Sequence, residues 1–227
     1  MDFQCNTIGT FRFLEWARQA NLEGAVFASS AAVYGEPGTG QIPEEAVLSP
    51  RSPYGAAKVA GEAYCRVFHL CYGIPVVTGR IFNTYGPGMR QFVLYDFVRK
   101  LQRDPTRLEI LGDGQQVRDY SYIADTVAAL RLLAERGAPG EAYNVASGMA
   151  TRIRELAELV MAAMAARAEI VCTGESWPGD VGYWHADISK LRNLGFVPRV
   201  PLAEGVEETV QWLLREVPSD TPAQRGN

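Results

Sequence analysis

Two short apolar runs on either side of a long helix-forming stretch constrain the fold of this chain most strongly. The runs at 25–28 and 74–82 are mostly apolar, which is typical of strands buried on both faces of a sheet. Between them lie a loop rich in proline and glycine at 34–53 and a predicted helix that begins at Pro53 and ends before Gly73. A crossover of this length joins parallel strands. The pattern therefore predicts a βαβ unit in an α/β protein.

Hydrophobic spacing predicts further helices and strands along the rest of the chain. The predicted helices cover about 7–20, 91–102, 123–134, 153–167, 187–194 and 201–215, and short strands are predicted at 108–111 and 141–146. Residues 218–227 contain almost no apolar side chain and are predicted to form a flexible tail.

The charge and hydropathy of the chain exclude several classes of partner. Its 22 basic and 26 acidic residues give a net charge of −4, which does not fit a surface for nucleic acid or anionic membranes. No apolar run reaches the roughly 20 residues of a membrane helix, and the first residues lack the features of a signal peptide. We therefore expect a soluble, cytoplasmic protein whose partners are small molecules or other proteins.

The cysteines and histidines show no metal-binding pattern. Cys5, Cys65, Cys71 and Cys172 form no CxxC pair, and the two histidines add no metal-ligand spacing. We expect free, largely buried thiols and no metal site.

A tyrosine and a lysine one helical turn apart are the first candidate reactive groups. Tyr54 and Lys58 share one side of the predicted helix, where the ammonium can stabilise a phenolate and make Tyr54 a general base. Ser29 and Ser30 follow the preceding strand, and ligands of open α/β sheets bind beyond the carboxyl ends of the strands. Alone, these residues also fit a surface Tyr–Lys pair and serines that satisfy backbone groups in a turn.

Motifs along nearly the whole chain resemble those of the extended short-chain dehydrogenase/reductase family, and in particular its NAD-dependent nucleotide-sugar epimerases and dehydratases, typified by UDP-glucose 4-epimerase. The matching segments are 6–10 (NTIGT), 29–35 (SSAAVYG), 53–58 (PYGAAK), 80–88 (RIFNTYGPG), 112–125 (GDGQQVRDYSYIAD), 143–148 (YNVASG) and 179–190 (GDVGYWHADISK). Together these motifs are far more specific than the Tyr–Lys pair.

The resemblance implies roles at the catalytic centre. Tyr54 is the base that removes the proton of a sugar hydroxyl, Lys58 holds the nicotinamide ribose and lowers the pKa of Tyr54, and Ser30 hydrogen-bonds the same sugar oxygen. The residues implied to bind NAD are Asn6, Ser29, Tyr54, Lys58 and Phe82.

The resemblance also implies a nucleotide-sugar site. Asn83 and Arg118 hold the diphosphate, Asp180 contacts the nucleotide ribose, and Trp184 limits the size of the group at position 2 of the sugar. Trp177 departs from the family pattern, which usually has an arginine on the diphosphate at this position.

Two alanines favour an epimerase over a dehydratase. Family dehydratases carry an Asp-Glu pair as acid and base directly after the serine or threonine, and this chain has Ala31 and Ala32 there. An epimerase needs no further acid or base once the keto sugar has formed. We therefore expect a nucleotide-sugar 4-epimerase of the UDP-glucose/UDP-galactose type, the alternatives being a catalytically silent nucleotide-sugar-binding remnant or a dehydratase, decarboxylase or reductase of the same family.

The Gly-rich turn that grips the pyrophosphate of NAD is absent from the sequence, with neither GxGxxG nor GxxGxxG present. We therefore expect the C-terminal part of a Rossmann-like doubly wound sheet at 1–88, a mainly substrate-binding α/β domain at 89–217 with segments that return to the first domain, and the tail at 218–227. Three explanations remain open: a fragment of a longer epimerase, a truncated protein whose exposed edge is covered by self-association such as a homodimer, and a binding remnant.

Overall fold

The computed structural model describes residues 1–20, 22–175 and 181–216 of the chain. The chain divides into two compact units. The first unit comprises Met1–Thr84, Val117–Ala150 and Trp177–Arg199, and the second comprises Tyr85–Gln116, Thr151–Ser176 and Val200–Asn227. Every described candidate site residue belongs to the first unit.

The described residues form helices and strands in a mixed order. The α-helices are α1 (Gly9–Ala17), α2 (Pro53–Tyr72), α3 (Phe92–Arg103), α4 (Ile123–Arg136), α5 (Ile153–Ala163), α6 (Ser189–Asn193) and α7 (Leu202–Glu216). The strands are β1 (Ala25–Ser30), β2 (Val76–Ile81), β3 (Asn83–Tyr85), β4 (Arg107–Ile110), β5 (Val117–Tyr122), β6 (Ala142–Val145), β7 (Ala150–Arg152) and β8 (Glu169–Cys172). A π-helical segment (Phe3–Ile8) precedes α1, and a 3-10 turn (Ala31–Val33) follows β1.

A parallel sheet with the strand order β1-β2-β6 forms the centre of the first unit. The ring of Phe27 on β1 packs against α2 so closely that a Cβ added at Gly61 would lie 2.5 Å from it. Gly79 on β2 has the opposite orientation and packs against Leu130 and Leu133 of α4. Helices therefore cover both faces of the sheet, which confirms the predicted α/β architecture and the predicted βαβ unit.

The second unit has a smaller core of its own. Strands β4 and β8 pair in parallel, and α3, α5 and α7 pack beside them. The fully buried side chains there include Leu94, Phe97, Leu108, Leu156 and Leu213. Within the described parts of both units, no helix combines the length and the apolar character that crossing a bilayer requires.

Several predicted boundaries differ from the observed ones. The helix predicted at 7–20 ends at Ala17, and the helix predicted to reach 167 ends at Ala163 because Ala165 adopts a φ of 51°, which interrupts helical geometry. Strand β5 was not predicted, since half of its side chains are polar, although they are largely buried.

The prediction of largely buried thiols is wrong for three of the four cysteines. Cys65 lies on the buried face of α2, whereas Cys5, Cys71 and Cys172 are exposed. The three exposed cysteines lie on the outer sides of their helices or strand, and the apolar character of a thiol does not by itself ensure its burial.

Candidate active site

The start of α2 places Tyr54 at the carboxyl end of β1. The hydroxyl of Ser52 caps the helix by accepting the Gly55 N–H at 3.1 Å, and Pro53 supplies a φ suited to the first turn. A Cβ at Gly55 would lie 2.6 Å from the carbonyl oxygen of Ala32, so only glycine lets α2 begin directly against the 3-10 turn. The Tyr54 side chain is 39% exposed and therefore accessible to a ligand.

Ser30 ends β1 with an extended backbone, and its side chain caps the 3-10 turn. Its hydroxyl oxygen accepts the N–H of Ala32 at 3.2 Å. This bond uses the oxygen as an acceptor and leaves the hydroxyl hydrogen to donate to another group. The local structure thus accommodates both interpretations of this serine, a turn cap and a donor to substrate oxygen.

Lys58 lies one turn after Tyr54 and reaches back to β1. Its ammonium donates to the carbonyl of Ala28 at 2.8 Å and lies 5.6 Å from the centroid of the Tyr54 ring. The ring of Phe27 lies 5.3 Å away on the same side. Burial lowers the pKa of Lys58 below its usual value. The structure thus brings Tyr54 and Lys58 together at the strand end that carries Ser30.

A buried ion pair lies beneath these three residues. The guanidinium of Arg80 on β2 donates to both carboxylate oxygens of Glu62 on α2, at 2.7 to 3.1 Å. The hydroxyl of Ser29 donates to the same carboxylate. Burial alone would lower the pKa of Arg80, but the hydrogen bonds from Arg80 to Glu62 and the nearby charges outweigh it and raise that pKa.

The Arg80 side chain also holds the loop between β1 and α2. It donates to the hydroxyl of Tyr34 at 2.9 Å and to the carbonyl of Glu44 at 2.7 Å. Tyr34 in turn donates to the Asn144 side chain at 2.7 Å, and Glu44 accepts the backbone N–H of Asn144 at 2.8 Å. Burial raises the pKa of Tyr34 to about 12, so the phenol is neutral near pH 7.

Two of the predicted substrate residues are in contact with each other. The guanidinium of Arg118 lies 5.5 Å from the ring centroid of Trp184, and the Trp184 indole donates to the carbonyl of Gly35 at 2.9 Å. Asn83 is half-buried beside β5, with its amide 3.5 Å from the carbonyl oxygen of Asp119. Asp180 and Trp177, for which roles were also predicted, lie outside the described residues.

The predicted cofactor residues have different surroundings. Asn6 is half-buried in the π-helical segment, which is tied to α2 by a bond from the Thr7 hydroxyl to the carbonyl of Ala57 at 3.3 Å. Phe82 is buried, with its ring centroid 6.2 Å from that of Tyr34. Ser29 is also buried, and its hydroxyl is directed at Glu62.

Asp119 is a supporting residue to which the sequence assigned no role. Its buried carboxylate accepts the Ser147 N–H at 2.9 Å, the Ser147 hydroxyl at 2.7 Å and the Gly148 N–H at 2.9 Å. Burial raises the pKa of Asp119 against the opposing effect of these bonds. The sequence offers no local signal for Asp119, because half of the side chains of β5 are polar and the partners of the buried carboxylate lie in a distant segment.

Comparisons with known proteins identify relatives of the chain. The family model described as GDP-mannose 4,6 dehydratase matches residues 2–209. A Methanocaldococcus jannaschii protein provisionally named a UDP-glucose 4-epimerase is 34% identical over 217 residues, which are 93% of this chain and 70% of that protein. A dTDP-glucose 4,6-dehydratase from Streptomyces niveus is 33% identical, over 91% of this chain and 62% of its own length.

A solved structure shows the same fold. The dTDP-glucose 4,6-dehydratase of Streptomyces venezuelae, with NAD bound, superposes with a TM-score of 0.85 at 29% identity and covers 94% of this chain and 67% of that one. The chain thus spans about two thirds of the length of the relatives it matches.

Proposed function

Since the chain belongs to the extended short-chain dehydrogenase/reductase family of NAD-dependent nucleotide-sugar epimerases and dehydratases, we propose that it acts as a 4-epimerase of the UDP-glucose/UDP-galactose type. The observation that carries the proposal is the junction of β1 and α2. There Tyr54 is accessible, Lys58 is bound to the strand that ends in Ser30, and neither Ala31 nor Ala32 offers an acid or a base.

The side chains at this junction have complementary tasks in forming a keto sugar. The phenolate form of Tyr54 would take the proton of the sugar 4-hydroxyl, with the Lys58 ammonium 5.6 Å from the centroid of the ring. The Ser30 hydroxyl donates to the same sugar oxygen and orients it. NAD, held at its nicotinamide ribose by Lys58, would supply reversible hydride transfer at the sugar C4.

The donor set fits the nicotinamide side of NAD. The Lys58 ammonium donates to β1, and the Ser30 hydroxyl lies at the carboxyl end of this strand, where such sheets bind their ligands. Lys58 would hold the nicotinamide ribose, with Asn6 nearby in the π-helical segment. The sequence contains no GxGxxG turn for the pyrophosphate, so NAD affinity is the property to measure first.

Asn83, Arg118 and Trp184 would hold the nucleotide sugar. A guanidinium suits a diphosphate because its planar fork donates to two oxygens at once. The Trp184 ring is held by Gly35 and Arg118, and its size favours sugars with a hydroxyl rather than an N-acetyl group at position 2. Asp180, outside the described residues, would contact the nucleotide ribose.

A nucleotide-sugar 4,6-dehydratase is the second candidate. The family model and the Streptomyces relatives favour it. Elimination of water needs an acid and a base beside the ketone, and the alanines at 31 and 32 provide neither. Release of a 4-keto-6-deoxy sugar would decide for this candidate.

We place the protein in the cytoplasm and expect it to self-associate as a homodimer. The unpaired thiols, of which three are exposed, fit a reducing compartment. Exposed apolar side chains on α1 and α2, among them Trp16 and Leu70, fit a covered surface. Light scattering of the purified chain measures its oligomeric state.

A matched pair of tyrosine variants tests the proposed function. Tyr54 and Tyr64 lie on the same helix and are each 39% exposed. With UDP-glucose and NAD supplied, Tyr54→Phe should reduce formation of UDP-galactose by about 100- to 10,000-fold, as expected for loss of a general base. Tyr64→Phe should leave turnover unchanged. Full turnover by Tyr54→Phe would exclude the mechanism, and absence of calorimetric NAD binding by the unaltered chain would favour a silent binding module.

A further inference from the structure

The helix face that carries Tyr54 and Lys58 continues to Glu62, one further turn along α2. Lys58 donates to the carbonyl of Ala28, and Glu62 accepts from the hydroxyl of Ser29. Successive turns of one helix face are therefore bonded to successive residues of β1. The next residue of the strand is Ser30.

Glu62 is itself fixed from a second strand. Ser29 and Arg80 are partners in the parallel register of β1 and β2, so the Glu62 carboxylate bridges two neighbouring strands. The side chains of Arg80 and Glu62 are only 7% and 9% exposed. Removal of either charge would leave the other buried without its partner, which is strongly unfavourable.

Helix α2 packs closely against the sheet beside Glu62. Gly61, next to Glu62, lies against the ring of Phe27, where a Cβ would be only 2.5 Å from the ring. Apolar packing alone allows a helix to slide by small distances, whereas charge-assisted bonds to fixed strand atoms specify both distance and angle.

We propose that Glu62 is a positioning residue, which fixes the Tyr54 and Lys58 face of α2 against the end of β1 that carries Ser30. The inference rests on the proposed function for its consequence in catalysis, because a displacement of about 1 Å at a reacting group can reduce turnover up to about 100-fold. Its structural part can be measured without any cofactor or substrate.

The lysine content of the chain makes that measurement simple. The sequence contains only Lys58, Lys100 and Lys190. Lysine labelled with 13C at Cε therefore gives three NMR signals, and Lys58→Arg assigns the first. Lys100 is paired with Asp96 and Lys190 with Glu141, so the other two signals are internal controls.

The proposal predicts the direction in which Lys58 titrates in Glu62→Gln. Loss of a nearby negative charge alone would lower the pKa of an ammonium, whereas release of Lys58 into water raises it toward about 10.4. We expect the pKa of Lys58 to rise while those of Lys100 and Lys190 stay unchanged. A decrease, or no change, would overturn the proposal.

Ser29→Ala is the companion variant, since it keeps the Glu62–Arg80 pair and removes only the bond to β1. It should raise the pKa of Lys58 in the same direction by a smaller amount, and it keeps the test valid if Glu62→Gln does not fold. An unchanged Lys58 titration in folded Ser29→Ala would also contradict the proposal.

Activity provides a separate readout. Glu62→Gln should reduce kcat by about 10- to 100-fold and leave the KM for UDP-glucose unchanged, since the diphosphate contacts proposed for Asn83 and Arg118 lie on other elements. If the unaltered chain does not turn over UDP-glucose, the proposed function fails, while the lysine titration still decides whether Glu62 positions the helix.

Discussion

Tyr34→Phe tests the buried network most quantitatively, because the substitution removes one oxygen and keeps the ring. The Tyr34 hydroxyl accepts from Arg80 at 2.9 Å and donates to Asn144 at 2.7 Å. The bond from Arg80 involves a charged donor, and loss of the Tyr34 hydroxyl also leaves the fully buried side-chain oxygen of Asn144 without the donor that Tyr34 provides. The free energy of unfolding should fall by about 2–4 kcal/mol, the sum expected for one charged and one neutral bond.

Tyr143→Phe is the matched control, since Tyr143 is also buried and its hydroxyl accepts a single backbone N–H, from Ala138 at 3.1 Å. Its loss should cost about 1 kcal/mol. Urea denaturation followed by far-ultraviolet circular dichroism at pH 7 measures both variants. Equal losses for the two tyrosines would refute the assigned network.

The same variant predicts an alkaline effect of definite sign. Burial raises the pKa of Tyr34 from 10.0 to about 12, so the folded state holds this proton more tightly than the unfolded state. Its contribution is complete below pH 10 and is lost as the pH rises through 12, a change of about 3 kcal/mol. Tyr34→Phe should therefore lose less stability than the unaltered chain over this range. Parallel pH profiles for the two proteins would contradict the reasoning.

Three further outcomes follow from the structure. In Gly55→Ala, the new methyl group would lie 2.6 Å from the Ala32 oxygen, so turnover should fall up to about 100-fold and the free energy of unfolding by about 1–3 kcal/mol. Ala56 is exposed, and Ala56→Ser should change neither quantity. Steady-state kinetics and urea denaturation measure both variants. In Asp119→Asn, loss of charged acceptors for Ser147 and Gly148 should lower the free energy of unfolding by about 3 kcal/mol, and an unchanged urea midpoint would oppose this. Burial raises the pKa of the Cys65 thiol to about 12, so a thiol reagent at pH 8 should label three cysteines in the folded chain and the fourth only in denaturant.

The sequence predicted those elements whose boundaries have local causes. Helix α2 begins at Pro53 and ends before Gly73 as expected, because proline suits the first turn and Gly73 adopts a φ of 68°. The two apolar runs became neighbouring parallel strands because both are short and separated by a crossover helix. These features depend on a few adjacent residues, and single-sequence reasoning is sufficient for them.

Strand β5 could not be predicted in the same way. Arg118, Asp119 and Ser121 give it a polar sequence, and the buried carboxylate of Asp119 is satisfied by Ser147 from a distant segment. Such long-range satisfaction of polar groups leaves no local pattern.

The candidate site likewise contains a part that the sequence predicts and a part that it does not. The spacing of Tyr54 and Lys58 placed both on one helix face, and the strand end placed Ser30 nearby. The ion pair of Glu62 and Arg80 joins a helix to a strand, which spacing along a single element cannot reveal.

The fate of the hydrogen at C4 of the sugar tests the central claim most directly. UDP-glucose carrying deuterium at C4 is incubated with the chain and NAD, and the product is analysed by NMR. An epimerase with Tyr54 as its only base for this step predicts UDP-galactose that retains deuterium at C4, with no solvent hydrogen incorporated into the ring. A 4-keto-6-deoxy product, or UDP-galactose that has lost the label, would contradict the proposed function.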